Sequence, residues 1–171
     1  MLLDSIDVNV DFNGIVIFAY PDLKSYFSNQ IVNGQNILND FTRTNLGDKV
    51  VDEGVVIPII NIDDGGYRVR FFEDAADEGQ QRRVVFSESG YVLKVDGDLY
   101  AADAAVFWDW EEWLGWEKVA VQPGCYSVVL EGVQHLDESG LIARTGYDLI
   151  LTRTKELMQR TATIREDNRV N

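Results

Sequence analysis

Val8, Val10 and Phe12 alternate with Asp7, Asn9 and Asp11 near the start of the chain. That period of two puts apolar residues on one face of a pleated strand, and it does not match the 3.6-residue period of a helix. Tyr67-Arg68-Val69-Arg70-Phe71-Phe72 repeats the pattern. Residues 15–20 (Ile-Val-Ile-Phe-Ala-Tyr) and 55–60 (Val-Val-Ile-Pro-Ile-Ile) are continuous apolar runs of strand length. Pro21 ends the first run. Pro58 lacks a ladder donor, which places the second run at an edge or a bulge.

Turn chemistry separates these runs. Asn13-Gly14 between two apolar segments is a strong short hairpin signal. Asp63-Asp64-Gly65-Gly66, Glu88-Ser89-Gly90, Asp96-Gly97-Asp98 and Pro123-Gly124 mark further turns. Strands are predicted at residues 83–87, 91–95, 118–122 and 125–130, with 99–101 extended. Residues 22–50 read as a long polar excursion with a short helix near 23–27. Residues 73–82, with Glu73, Asp74, Asp77 and Glu78, read as a solvated acidic loop, and residues 155–171 as a frayed or briefly helical tail.

Asn13-Gly14-Ile15-Val16-Ile17 aligns with Ser89-Gly90-Tyr91-Val92-Leu93. Asp64-Gly65-Gly66-Tyr67-Arg68-Val69-Arg70 aligns with Gln122-Pro123-Gly124-Cys125-Tyr126-Ser127-Val128, with one position of slack. A single domain over 1–171 is expected, with pseudo-repeat halves at about 7–72 and 83–131 and an extra strand at about 146–153. The fold class expected is all-β, mainly an antiparallel β-sandwich with an internal duplication and short helical excursions. The two halves should superpose, residues 15–20 on 91–95 and 67–72 on 126–130. Phe12, Ile15, Ile17, Val69, Phe71, Val92, Val128 and Leu149 should be buried.

All four tryptophans fall in Phe107-Trp108-Asp109-Trp110-Glu111-Glu112-Trp113-Leu114-Gly115-Trp116-Glu117. On a helix, Trp110, Trp113 and Leu114 would share a face with Phe107, plugging the open end of a sandwich. An exposed tryptophan among carboxylates would instead anchor an interface with a basic partner. The formal net charge of −14, from 29 acidic and 15 basic residues, would steer such a partner and argues against nucleic acid or an anionic membrane as partners. Candidate partner-binding residues are Trp108, Asp109, Trp110, Glu111, Glu112, Trp113 and Trp116, with Asp96, Asp98 and Asp103 as outer charges.

Catalytic signals are weak. Cys125 and His135 are the only residues of their types, too few for a standard zinc site or a disulfide, and Cys125 reads as a buried structural cysteine. Asp63-Asp64 and Asp96-Asp98 read as turn chemistry rather than a calcium loop. The sequence holds no phosphate-binding loop, nucleophile elbow or dinucleotide turn. The expectation is a binding protein with no catalytic residue, no metal and no cofactor. The start, Met1-Leu2-Leu3-Asp4, has no basic region and no long apolar run follows, so a cytoplasmic location is expected. The sequence leaves open a homo-oligomer.

Val121-Gln122-Pro123-Gly124-Cys125-Tyr126-Ser127-Val128 and Asp64-Gly65-Gly66-Tyr67-Arg68-Val69 resemble a pattern of bacterial immunity proteins and related nuclease inhibitors of polymorphic toxin systems. There a Pro-Gly turn leads into a Tyr-x-Val strand, and the segment from Gly90-Tyr91 to Asp103 is similar in style. The resemblance implies a small acidic cytoplasmic protein that neutralises a toxin by direct binding. A nuclease toxin holds phosphate and is basic, so an acidic binder presents the charge of its substrate. Two other readings stay open. One is a carbohydrate-binding module or glycan-acting protein, using tryptophan faces for sugar rings. The other is a structural or assembly protein with a working β edge.

Overall fold

The computed structural model describes residues 1–77 and 81–171. Among the described residues nine strands form two sheets. β1 (Leu2–Val10), β4 (Gly65–Glu73), β9 (Ile142–Thr154), β8 (Gly124–Leu136) and β5 (Arg82–Val95) make a five-stranded sheet in the order β1-β4-β9-β8-β5. β3 (Val56–Ile60), β2 (Gly14–Tyr20), β6 (Asp98–Asp103) and β7 (Glu117–Val119) make a four-stranded sheet in the order β3-β2-β6-β7. Pairing is antiparallel except between β4 and β9. The fold is all-β.

The sheets pack face to face over one apolar layer. Val8, Val69, Phe71, Leu93, Val128 and Leu149 from the larger sheet meet Ile15, Ile17, Ile57 and Leu99 from the smaller. A second apolar layer lies on the other face of the four-stranded sheet. There Val16, Phe18, Tyr20, Val56 and Tyr100 are covered by Leu23, Ile37, Val50, Phe107 and Trp110. This explains the unbroken apolar run 15–20: alternate residues of β2 serve different layers, and every position is buried. Pro58 sits in β3, an edge strand, where a missing donor costs no ladder bond.

The second layer is carried by the excursion after β2. A 3-10 helix spans Asp22–Phe27, close to the expected short helix. Two α-helices that the polar composition concealed follow, α1 (Ile37–Arg43) and α2 (Leu46–Asp52). Asn36 caps α1, its side chain accepting from the Asn39 amide at 3.0 Å. Each helix is too short to stand alone, so burial of Ile37, Val50 and Val51 holds them.

Several expectations are corrected. Asn13-Gly14 does not close a hairpin: β1 and β2 lie in different sheets, and the turn carries the chain across the sandwich. Asn13 adopts φ 58, which supplies the left-handed residue without strand pairing. Glu88-Ser89-Gly90 is a bulge inside one long strand, β5, and Gly90 takes φ 96 there. Phe12 is 36% exposed, because it sits on the crossing turn rather than in a strand. The other seven residues expected in the core are buried. Cys125 is only half-buried, since its side chain lies on the outer face of β8.

Residues 15–20 and 91–95 occupy different sheets, one central and one at an edge, so they are not equivalent positions. β4 and β8 share a sheet and flank β9 on opposite sides, but β4 runs parallel to it and β8 antiparallel, and their outer neighbours are β1 and β5. Strand-turn-strand units resemble one another in sequence because they share turn chemistry, whereas burial sets their partners. Of the expected acidic loop, Glu73 ends β4, and Glu78 lies outside the described residues.

The tail is neither frayed nor helical. It runs extended along the open side of the sandwich, between the edges of β5 and β3. The amides of Thr161 and Ala162 donate to the Gly90 carbonyl at 3.0 and 3.1 Å. The Asn168 side chain donates to the Ile60 carbonyl at 2.8 Å, and the Tyr147 hydroxyl donates to the Asn168 carbonyl at 2.7 Å. Ala162, Asn168 and Val170 are buried.

Candidate protein-binding site

The tryptophan segment begins where β6 ends. Asp103 accepts the Asp11 amide with one carboxylate oxygen (2.7 Å) and the Ala105 amide with the other (3.0 Å). This half-buried carboxylate therefore ties the β1–β2 crossing to the next element. That element, α3 (Ala105–Trp108), is a single helical turn. The multi-turn helix expected here does not form. After Trp108 the chain extends, and Trp110 pairs with the excursion: its amide donates to the Gln35 carbonyl at 3.1 Å, and Gly34 donates back at 2.7 Å. A turn then closes between the Glu111 carbonyl and the Leu114 amide at 3.1 Å.

This path sorts the tryptophans. Trp110 is fully buried and Trp116 largely so, both packed on Phe18 and Tyr20 with ring centroids 5.0 to 6.4 Å apart. Trp113 and Leu114 point outward, 55% and 61% exposed. Trp108 is also exposed and stacks on Phe12 at 5.5 Å. Phe12 precedes β2, whereas Trp113 packs against Tyr20 at its far end. Seven residues of strand separate the two tryptophans by about 20 Å. They belong to two places on the surface.

Trp113 is the more constrained. Its φ is 73, a left-handed conformation that costs a bulky residue about 1–3 kcal/mol. The ring is held edge-on against Tyr20 (5.4 Å) and Tyr100 (5.6 Å) and tilted against Trp116 (5.0 Å). Gly115, at φ 72, completes the reversal that glycine adopts without strain. A rigid aromatic pedestal thus supports a half-exposed indole.

Carboxylates collect around this tip. Glu111 is exposed beside it. Burial first, and then the adjacent Glu112 carboxylate, push the Tyr20 hydroxyl well above the usual tyrosine range. That hydroxyl makes no well-aligned hydrogen bond. Asp98 is the register partner of Tyr20 and pairs with Lys118 at 3.3 Å. Asp96 is exposed and pairs loosely with Lys94 at 3.5 Å. Asp22 accepts the amides of Asp96 and Gly97 at 2.8 and 3.0 Å, fixing the turn that carries these acids.

Of the residues singled out in the sequence, the structure therefore gathers Glu111, Glu112, Trp113, Asp96 and Asp98 at the Tyr20 end of β2. Trp110 and Trp116 lie beneath as support. Trp108 and Asp103 lie at the opposite end, and Asp109 is exposed between them. Tyr20, Tyr100, Asp22 and Leu114 also belong to the site. No local pattern marks the first three, which only sheet pairing brings to the tip. Leu114 stands in the segment, where helical spacing predicts an inward face.

Among the described residues, no group of three or more His, Cys, Asp or Glu is placed to hold a metal ion. Among the same residues no helix is long and apolar enough to cross a membrane.

No protein-family model and no curated protein matches this chain. Two solved structures are similar. One is described as crocagin biosynthetic gene J, with a TM-score of 0.53 at 15% identity, covering 88% of this chain and 96% of that one. The fold is shared. The other is ComJ from Bacillus subtilis, described as an inhibitor of the DNA-degrading activity of NucA. Its likeness is slighter, with a TM-score of 0.47 at 7% identity, covering 90% of this chain and 98% of that one.

Proposed function

We propose that this chain is an acidic binding protein that neutralises a basic protein, a nuclease-type toxin, by docking the Trp113–Leu114 tip and its flanking carboxylates onto it. The observation that carries the reading is Trp113 itself. An indole held half-exposed, at a strained φ and on an aromatic pedestal, is pre-organised for contact. Large rigid aromatics supply most of the energy at such anchors. Glu111, Glu112, Asp96 and Asp98 form an acidic rim, which speeds encounter with a basic surface. The net charge of −14 extends that field over the molecule.

The test is capture from the cell of origin, followed by an activity assay on the captured protein. The wild-type chain should retain a basic protein that degrades DNA, and adding the chain should stop the degradation. Trp113→Ala should lose both effects, while Trp108→Ala should retain them. A captured partner that is acidic, or that is inhibited equally by Trp113→Ala, would overturn the reading.

A further inference from the structure

The two short helices do not cover the outer face of the four-stranded sheet completely. A trough of about 360 Å³ remains between α1, α2 and β3. Its floor is Val16, Val56, Pro58 and Ile60, and its walls include Phe41 and Phe107. Pro58 and Ile60 stay half-exposed although they belong to a strand whose other side chains are buried. The volume is within the usual range for sites that bind small groups, and the lining has the expected character, apolar with a few polar atoms.

Two features define what would fit. Ile164, from the extended tail, already lines one end, so an aliphatic side chain from an extended segment suits the surface. Asp48 lines the rim and is exposed, and among the described residues it makes no ion pair. The neighbouring acid on α2, Asp52, is taken by Arg160 at 2.7 Å. Lys49 is turned away over the Tyr26 ring, 5.8 Å from its centroid. An apolar slot with one uncommitted carboxylate at its mouth complements an apolar group that carries a cation beside it.

We infer that this trough is a second docking point for the basic partner, taking one of its apolar side chains while an adjacent Lys or Arg pairs with Asp48. The inference rests on the reading of the chain as a binder of a basic protein. It adds a site on the same layer as Trp113, beside Val16 rather than Tyr20. The tip and the trough would then engage one partner at two points.

The test needs no partner, so its failure is distinguishable from failure of the Trp113 site. The intact chain is titrated with 2-phenylethylamine, an apolar ring with an ammonium, and with uncharged 2-phenylethanol, followed by methyl and amide NMR. Saturable shifts should centre on Leu38, Val51, Ile60 and Ile164, and the amine should bind about threefold more tightly than the alcohol. Asp48→Asn, at an exposed position that should not disturb folding, should remove that difference. Thr42→Trp at the rim should weaken both probes. Shifts scattered over the surface, shifts centred on Trp113, or equal binding of amine and alcohol to the wild-type chain would each overturn the inference.

Discussion

Arg70 on β4 and Asp148 on β9 are register partners, and their side chains form a two-bond pair at 2.8 and 2.7 Å. Both are almost wholly buried, 3% and 0% exposed. Arg82 joins from β5, reaching Asp148 at 3.2 Å and Glu131 at 2.7 Å. The pair therefore lies inside a network that joins four strands of the larger sheet, β4, β9, β8 and β5. Removing Arg70 leaves the buried Asp148 with the longer 3.2 Å contact to Arg82 in place of the two-bond pair. Breaking a buried pair costs up to about 3–5 kcal/mol, whereas replacing both partners with apolar residues removes that penalty. In urea unfolding, Arg70→Met should be strongly destabilised, and Arg70→Met with Asp148→Leu should recover most of the loss. Equal stability of the single and double variants would contradict this account.

His135 adds a pH dependence beside that network. Burial first, then the Arg70 guanidinium, with smaller contributions from Arg68 and Arg144, hold its imidazole below the ordinary value of 6.5; Asp148 opposes them. Arg82 is its register partner on β5. The folded state binds the proton less readily than the unfolded state. The resulting stability is fully present above about pH 6.5 and is lost as pH falls through the folded value. Unfolding free energy measured from about pH 7.5 down to about 5.5 should decline, and His135→Gln should flatten that decline. An unchanged slope would remove His135 from the explanation.

Tryptophan fluorescence should report the sorting of the aromatic segment. Trp110 and Trp116 are enclosed, while Trp108 and Trp113 meet solvent. Acrylamide quenching of the wild-type chain should show one accessible and one protected population. Changing both Trp108 and Trp113 to Phe should leave blue-shifted emission that quenches poorly. Strong quenching of that double variant would mean that the pedestal is open.

The tip and its rim should act on different rate constants. Trp113→Ala should weaken the complex by about 2 kcal/mol or more, mainly through faster dissociation. Glu111→Gln with Glu112→Gln should slow association and reduce its salt dependence, with a small change in dissociation. Surface plasmon resonance at two salt concentrations separates these effects. Loss of affinity confined to the association rate in Trp113→Ala would argue against an anchor.

The tail should behave as part of the core. Asn168 donates to the carbonyls of Ile60 and Arg165 at 2.8 and 2.9 Å and is fully buried. Asn168→Ala should cost about 1–3 kcal/mol in thermal or urea unfolding, because it leaves a buried carbonyl short of a donor. Neutral behaviour would mean that the tail is dispensable.

Local chemistry was legible where it has a local cause. The period of two in β1 and β4, the apolar runs of β2 and β3, and the edge position of Pro58 follow from pleat geometry and from the missing proline donor. The dense placement of tryptophans with acids is likewise a local feature, plain in the sequence itself. What followed Asn13-Gly14 was not legible, because the same left-handed residue serves a hairpin or a crossing between sheets. The helices after β2 escaped notice because their stability comes from burying Ile37, Val50 and Val51 rather than from their own composition. The tail escaped for a similar reason: its polar residues satisfy backbone groups that exist only once β3 and β5 stand apart. Sequence alone determined the strands, their apolar faces and the acidic aromatic character of one segment. Tertiary structure decided which tryptophan faces solvent and which carboxylates lie at that end of the sheet, because Tyr20 and Tyr100 reach Trp113 only through the pairing of β2 with β6, which also sets Asp98 opposite Tyr20, while Asp22 fixes the turn beside it.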